Sequence, residues 1–227
     1  MDRAGLIRLR WGWLGLTLLG TACLLPPPED AASASGEPAQ VTPGTRFMIW
    51  DGDGKGLTGG QSWADCSPKP GCKASFKLAP AKGRNESGGL AYHAEGKEWN
   101  GGGWNWLGWY PEDGGSDIRP YDELQFWIRL ESASEDEAPG KEGFGVLLGC
   151  SSNGGKSTAT APIYKYADGD VYDGKWHHVV IPLGDLYIGK EGQEFDPQTA
   201  WEFRITTWDP HPRDFTVYFD EISFVKN

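Results

Sequence analysis

The sequence predicts an all-β domain, a two-sheet antiparallel β-sandwich of the jelly-roll type. Three observations carry that expectation. No segment beyond the N-terminal region shows an apolar repeat of about 3.6 residues, the mark of an amphipathic helix. Several segments alternate apolar and polar side chains instead, as half-buried strands do. The chain also carries 33 Gly and 16 Pro, enough turn residues to separate many short strands.

In chain order, Phe47 to Trp50 reads as the first strand, ended by the Gly-rich DGDGKG from Asp51. Leu90 to Ala94 and Trp104 to Tyr110 read as two more. Leu124, Phe126, Ile128 and Leu130 alternate with Gln125, Trp127, Arg129 and Glu131, which predicts a strand with one buried face. Phe144 to Leu148 is a short apolar run, and Val179 and Ile181 alternate with His178 and Val180 after the turn residues Asp173 and Gly174. Asp196 followed by Pro197 fits an N-cap with proline at the first helical position, so one short helical turn is expected there. Phe203, Ile205 and Thr207 alternate with Arg204, Thr206 and Trp208, and Phe215 to Val225 closes the chain as a long strand.

The N-terminus speaks to compartment. Arg3, Arg8 and Arg10 precede the apolar stretch Trp11 to Ala22, which is shorter than the roughly 20 residues that span a bilayer. Residues 1–22 are therefore expected to be a signal peptide. Gly20, Thr21 and Ala22 then lead into Cys23, and this resembles the lipobox of bacterial lipoproteins, although Gly20 stands where that motif has Leu. The resemblance implies lipidation of Cys23 and an exported, envelope-anchored protein; ordinary cleavage near Ala32 to Ala34 is the alternative. Residues 23–44 are rich in Pro, Ala, Ser and Gly, too poor in large apolar side chains to offset the entropy of ordering, and read as a tether. Residues 45–227, about 180 positions, suit one domain with a real core. The formal net charge of −11 argues against nucleic acid as a partner. In an oxidising compartment Cys66 and Cys72, flanking a Pro- and Gly-containing loop, are expected to form a local disulfide, with Cys150 as a small buried hydrophobe. A bridge from Cys150 to either of them is the alternative.

The segments DGDG, RPYDELQFWIRLE, DGKWHHVVIPLGDL, WEFRITTW and FTVYFDEISF occur in that order between Phe47 and Val225. As a set they resemble the galactose-binding-like jelly rolls, and within them the family 11 carbohydrate-binding modules and their relatives. The resemblance implies binding of poly- or oligosaccharide on one sheet face through aromatic, Arg, Asp and His side chains. It also implies a structural Ca²⁺ near the two chain ends, for which Asp51, Asp53 and Asp220 stand at matching places. Hard carboxylate oxygens are what that ion prefers.

Tryptophan supplies candidate platforms. Of 12 in the chain, four fall in WNGGGWNWLGWYP, Trp99 to Pro111. If Trp104 to Tyr110 is extended, Trp104, Trp106 and Tyr110 share one face and Trp109 points the other way. A flat indole can cover the C–H face of a sugar while polar neighbours bind its hydroxyls. Trp104, Trp106 and Trp109 are therefore candidates, and the outward sides of the alternating strands add Trp127, Arg129, Arg204 and Trp208. For any single one of these tryptophans, a place in the core is the competing reading.

Two signals mislead. GCSSNGGKST, Gly149 to Thr158, resembles a phosphate-binding loop but has Cys150 where glycine is required. The 32 Asp and Glu could supply any number of catalytic pairs, so their abundance says nothing of hydrolysis. No Ser/His/Asp pattern or HExxH motif is present. The function expected is non-catalytic carbohydrate binding, without cofactor chemistry beyond a structural calcium. The alternatives are a structural or protein-binding envelope lipoprotein and a glycoside hydrolase or lyase.

Overall fold

The computed structural model describes residues 43–52, 60–67, 70–108 and 114–227, except for the side chain of Pro212. Among the described residues nine strands form: β1 (Arg46–Trp50), β2 (Gln61–Cys66), β3 (Lys73–Ala79), β4 (Gly89–Asn105), β5 (Glu123–Ser132), β6 (Phe144–Cys150), β7 (Ala161–Pro162), β8 (His177–Pro182) and β9 (Ala200–Val225). Two short helices, α1 (Leu183–Leu186) and α2 (Gly189–Glu194), follow β8. All the named strand pairings are antiparallel.

Two long strands explain how one hydrogen-bonded network makes a sandwich. A straight strand would hold Phe203 and Phe219 roughly 50 Å apart. Their ring centroids lie 5.3 Å apart, so β9 folds back on itself. The fold falls where β9 loses step with β4, between the pairs Gly96↔Arg213 and Glu98↔Asp209. The first half of β9 then joins β2, the second half of β4, β6 and β7 in one layer. Its second half joins β3, the first half of β4, β5 and β8 in the other, with β1 along its end.

The strand alternation sets what lies between the layers. On β5 Leu124, Phe126, Ile128 and Leu130 are buried while Gln125, Trp127 and Arg129 are not. On the first half of β9 Phe203 and Ile205 are buried and Arg204, Thr206 and Trp208 face outward. Phe126 meets Phe203 edge-on across the core, with centroids 5.4 Å apart. Trp127 and Arg129 therefore lie on the opposite outer face of the sandwich from Arg204 and Trp208.

Several expectations need correction. The strand expected from Trp104 to Tyr110 does not form as such: β4 starts at Gly89 and ends at Asn105, and the chain turns at residues 106–107. Trp104 is paired in register with Phe203, so both point into the core. The helical turn expected at Asp196 is instead a hydrogen-bonded turn, with the Thr199 amide donating to the Asp196 carbonyl at 3.1 Å. There the Asp196 side chain accepts from the Gln198 amide at 3.0 Å, as in an Asx-turn. The Cys66–Cys72 disulfide is present, with Cα atoms 6.2 Å apart, and ties the end of β2 to the start of β3. Cys150 is a free, buried thiol.

Candidate functional site

The outer face of the first layer gathers the exposed aromatic surface. Trp99 on β4 is 39% exposed and Trp208 on β9 is 58% exposed, and the two are register partners on adjacent strands. Side chains directly opposite on an antiparallel pair stand on the same face as neighbours. Counting in twos along β4 puts Gly101, Gly103 and Asn105 on that face with Trp99. The register adds Trp63 and Asp65 from β2, and Glu202, Arg204 and Thr206 from β9. Gly145, Leu147 and Gly149 of β6 complete it.

The glycines here serve as a floor. A Cβ on Gly101 would come 2.7 Å from the Trp99 ring, and one on Gly103 would come 2.5 Å from the Trp63 Nε1. Only a strand lacking those side chains lets the two indoles lie over its backbone. Trp99 is pinned further by its Nε1, which donates to the Thr206 hydroxyl at 3.1 Å. Indoles held this way present a ring to solvent at little further entropic cost.

Beside Trp63 sits a charged pair. Glu202 is 2% exposed, and its carboxylate accepts from the Trp63 indole Nε1 and from Arg204 Nε. The Arg204 guanidinium lies over the Trp63 ring, 5.8 Å from its centroid. Burial pushes the Glu202 carboxyl above the usual range, while the Arg204 charge and the two hydrogen bonds pull it partly back. Asn105, in register opposite Glu202, is fully buried, and neither polar atom of its side chain has a hydrogen-bond partner.

The candidates chosen from sequence divide among several places. Arg204 and Trp208 lie on this face. Trp104 and Trp106 do not: both are core side chains, 6% and 0% exposed, and cannot serve as platforms. Trp104 packs edge-on against Trp50 at 5.3 Å, and its Nε1 donates to the Ile49 carbonyl at 3.4 Å. Trp106 packs edge-on against Phe224 at 5.9 Å and donates to the Ser116 hydroxyl at 3.1 Å. Trp127 and Arg129, on the opposite face, are engaged by protein. The Arg84 guanidinium lies 3.5 Å from the Trp127 ring centre, and His178 stacks against the same indole at 4.8 Å. Arg129 lies by Tyr218 and Trp176, at 4.8 and 5.1 Å from their ring centres, and pairs with Glu131 at 3.0 Å. Trp109, Asp53 and Cys23 lie outside the described residues.

Of the expected calcium ligands, Asp51 is half-buried and Asp220 is 1% exposed. The Asp220 carboxylate accepts from the Arg84 amide at 2.7 Å, the Ser87 hydroxyl at 2.9 Å and the Glu221 amide at 2.8 Å. Both its oxygens thus serve protein donors and tie the turn at residues 84–87 to β9. Among the described residues no three His, Cys, Asp or Glu side chains gather as a metal site.

The sequence reading missed Trp63, Trp99 and Glu202. Trp99 belongs to the same Trp-rich segment, but the expected strand starts only at Trp104. The glycine run between them is continuous strand, and positions 99 and 104, an odd step apart, fall on opposite faces.

Comparison with known proteins gives the family and the fold. The family model described as carbohydrate binding domain 30 matches residues 53–226. No curated protein matches the chain. Among solved structures, the family 30 carbohydrate-binding module of the cellulosomal cellulase Cel9D-Cel44B of Clostridium thermocellum superposes with a TM-score of 0.58 at 19% identity, covering 81% of this chain and 98% of that one. A β-1,2-glucanase from Parabacteroides distasonis gives 0.56 at 16% identity, covering 82% of this chain and 26% of the enzyme. At these identities the likeness is one of fold. A family 11 module from Clostridium thermocellum reaches 0.48 at 16% identity, covering 82% of this chain and 97% of that one, and that likeness carries no weight. The sandwich and the carbohydrate-binding kind of domain expected from sequence are those of the matching family, and the chain belongs to carbohydrate-binding family 30.

Proposed function

We propose that the domain binds poly- or oligosaccharide on the outer face of the first layer, by stacking sugar rings on Trp99, Trp208 and Trp63. Arg204, Thr206 and Asp65 then supply hydrogen bonds to hydroxyls. The observation that carries this reading is the exposed Trp99–Trp208 pair, in register on β4 and β9. Two adjacent indoles over a glycine floor suit the apolar faces of successive sugars in a chain, and flanking polar groups fix orientation.

The domain is proposed to act without catalysis. Glycoside hydrolysis needs two carboxyl groups flanking the scissile bond. Glu202, the one carboxylate buried in this face, is covered and spends its oxygens on Trp63 and Arg204. Export behind the signal-like residues 1–22, lipidation at Cys23 and presentation on residues 23–44 complete the proposal, supported by the lipobox-like Gly20 to Cys23.

Isothermal titration of residues 45–227 against soluble β-glucans, xylan, mannan and pectin tests the reading. Saturable binding to one class, lost in Trp99→Ala and Trp208→Ala, supports it. Absence of binding across the panel overturns it in favour of a protein partner. Release of sugar product would contradict the non-catalytic part alone.

A further inference from the structure

We infer that Glu202 is a positioning residue for the binding face: without touching the ligand, it sets the pose of both Trp63 and Arg204. This rests on the proposal that the face binds carbohydrate. Three observations converge on it. First, the carboxylate is spent on the two side chains it would orient, Trp63 through Nε1 and Arg204 through Nε. With Nε committed to Glu202, the guanidinium fork is fixed and its outer nitrogens remain for hydroxyls. Second, the backbone is cut away to admit the carboxylate. A Cβ at Gly103 would lie 2.8 Å from Glu202 Oε1, and one at Gly149 would lie 2.5 Å from Oε2. These glycines are on strands flanking β9 from opposite sides. Third, burying a carboxylate costs free energy that a surface ion pair would not. Glu202 is 2% exposed although it lies on the outer face of its layer, in the series of Arg204, Thr206 and Trp208. Stability alone would favour an apolar side chain there.

Among the described residues, the strands around Glu202 bring it one cation. Arg204 comes from its own strand, Trp63 from β2 through the register, Asn105 from β4 and Gly149 from β6. The uncharged Asn105 side chain makes no hydrogen bond to it. Removing the carboxylate should free the Trp63 ring to swing off Gly103 and release Arg204 into solvent.

The test compares Glu202→Gln, Glu202→Ala, Trp63→Ala, Trp208→Ala and the Glu202→Ala/Trp63→Ala double variant. Each is titrated with a soluble mixed-linkage β-glucan and then with the rest of the panel. Glu202→Ala should weaken binding about tenfold, the order expected for losing a buried charge-assisted contact. Glu202→Gln, whose amide oxygen still accepts from the indole, should recover a large part of that loss. The double variant should lose less affinity than the two single losses combined, since the part of the Glu202 effect that acts through Trp63 is already gone while the part through Arg204 remains. The Trp63 indole NMR resonance should move in Glu202→Ala and stay near its place in Glu202→Gln.

If Trp208→Ala weakens binding while folded Glu202→Ala does not, the positioning role is wrong and the binding face stands. Full additivity in the double variant also overturns the positioning role. If Trp63→Ala and Trp208→Ala both leave binding intact, or no polysaccharide binds, the functional proposal fails and this inference with it. Should Glu202→Ala not fold, Glu202→Leu, which fills the site without an acceptor, decides: an unmoved Trp63 resonance with unchanged affinity refutes the role.

Discussion

Replacing Trp208 by alanine separates a binding platform from a core side chain, because its two expected consequences differ sharply in size. Trp208 is 58% exposed, so most of its ring is already in water and its removal opens no cavity. Surface substitutions of this kind change stability by about 0.5 kcal/mol or less. Binding should respond far more. A sugar laid on one face of the indole covers roughly 80 Å², about a third to a half of the roughly 150–250 Å² a buried aromatic can cover. At about 25 cal/mol per Å², that contact contributes about 2 kcal/mol, or roughly 30-fold in Kd. Trp106 provides the contrast. It is fully buried against Phe224, so Trp106→Ala should cost about 3–5 kcal/mol of folding stability. Urea unfolding measures the first quantity and isothermal titration the second, on the same preparations. The reasoning is refuted if Trp208→Ala lowers stability by more than about 2 kcal/mol while leaving affinity unchanged, the pattern of a core residue.

Further outcomes follow from other parts of the structure. A structural Ca²⁺ near the chain ends, held by Asp51, Asp53 and Asp220, is tested by chelation: a fall of several degrees in melting temperature supports it, and a melting temperature unmoved by chelator or by added Ca²⁺ drops it. Reducing Cys66–Cys72, which closes a short loop, should cost about 2 kcal/mol by the chain-entropy relation, read by urea unfolding with and without reductant. For His177, burial disfavours the charged ring, but hydrogen bonds to Asp173 and Asp168 outweigh it and raise its pKa. The folded protein then holds that proton more tightly than the unfolded chain. Its contribution should be fully present below about pH 6.5 and lost as pH rises through the higher folded value. An NMR titration placing His177 below 6.5 would contradict this.

Which parts of the molecule were legible in the sequence follows from what each signal depends on. The buried and exposed sides of β5 and of the first half of β9 are set by alternation within the strand, so Arg204 and Trp208 could be placed outward from sequence alone. The Cys66–Cys72 bridge was legible because its loop is local. β2 and β3 were not, since QSWADC and KASFKLA mix polar and small residues and owe their strand form to pairing with β4. The glycine run at residues 101–103 looks like a break because its purpose is supplied by other residues: Trp99 and Trp63 lie over it. That Trp127 and Arg129 fall on the far side from Trp208 depends on the fold-back of β9, which no local pattern announces. Glu202 was hidden for the same reason, because its two partners lie on other positions of the assembled face.

The most direct test of the binding face is a two-dimensional NMR titration of the indole N–H signals of residues 45–227 with an oligosaccharide from the class that binds. The signals of Trp63, Trp99 and Trp208 should shift together along a single saturation curve, while those of Trp104, Trp106 and Trp127 stay in place. Shifts confined to Trp127 and Trp176 would move the site to the opposite face of the sandwich and contradict the assignment.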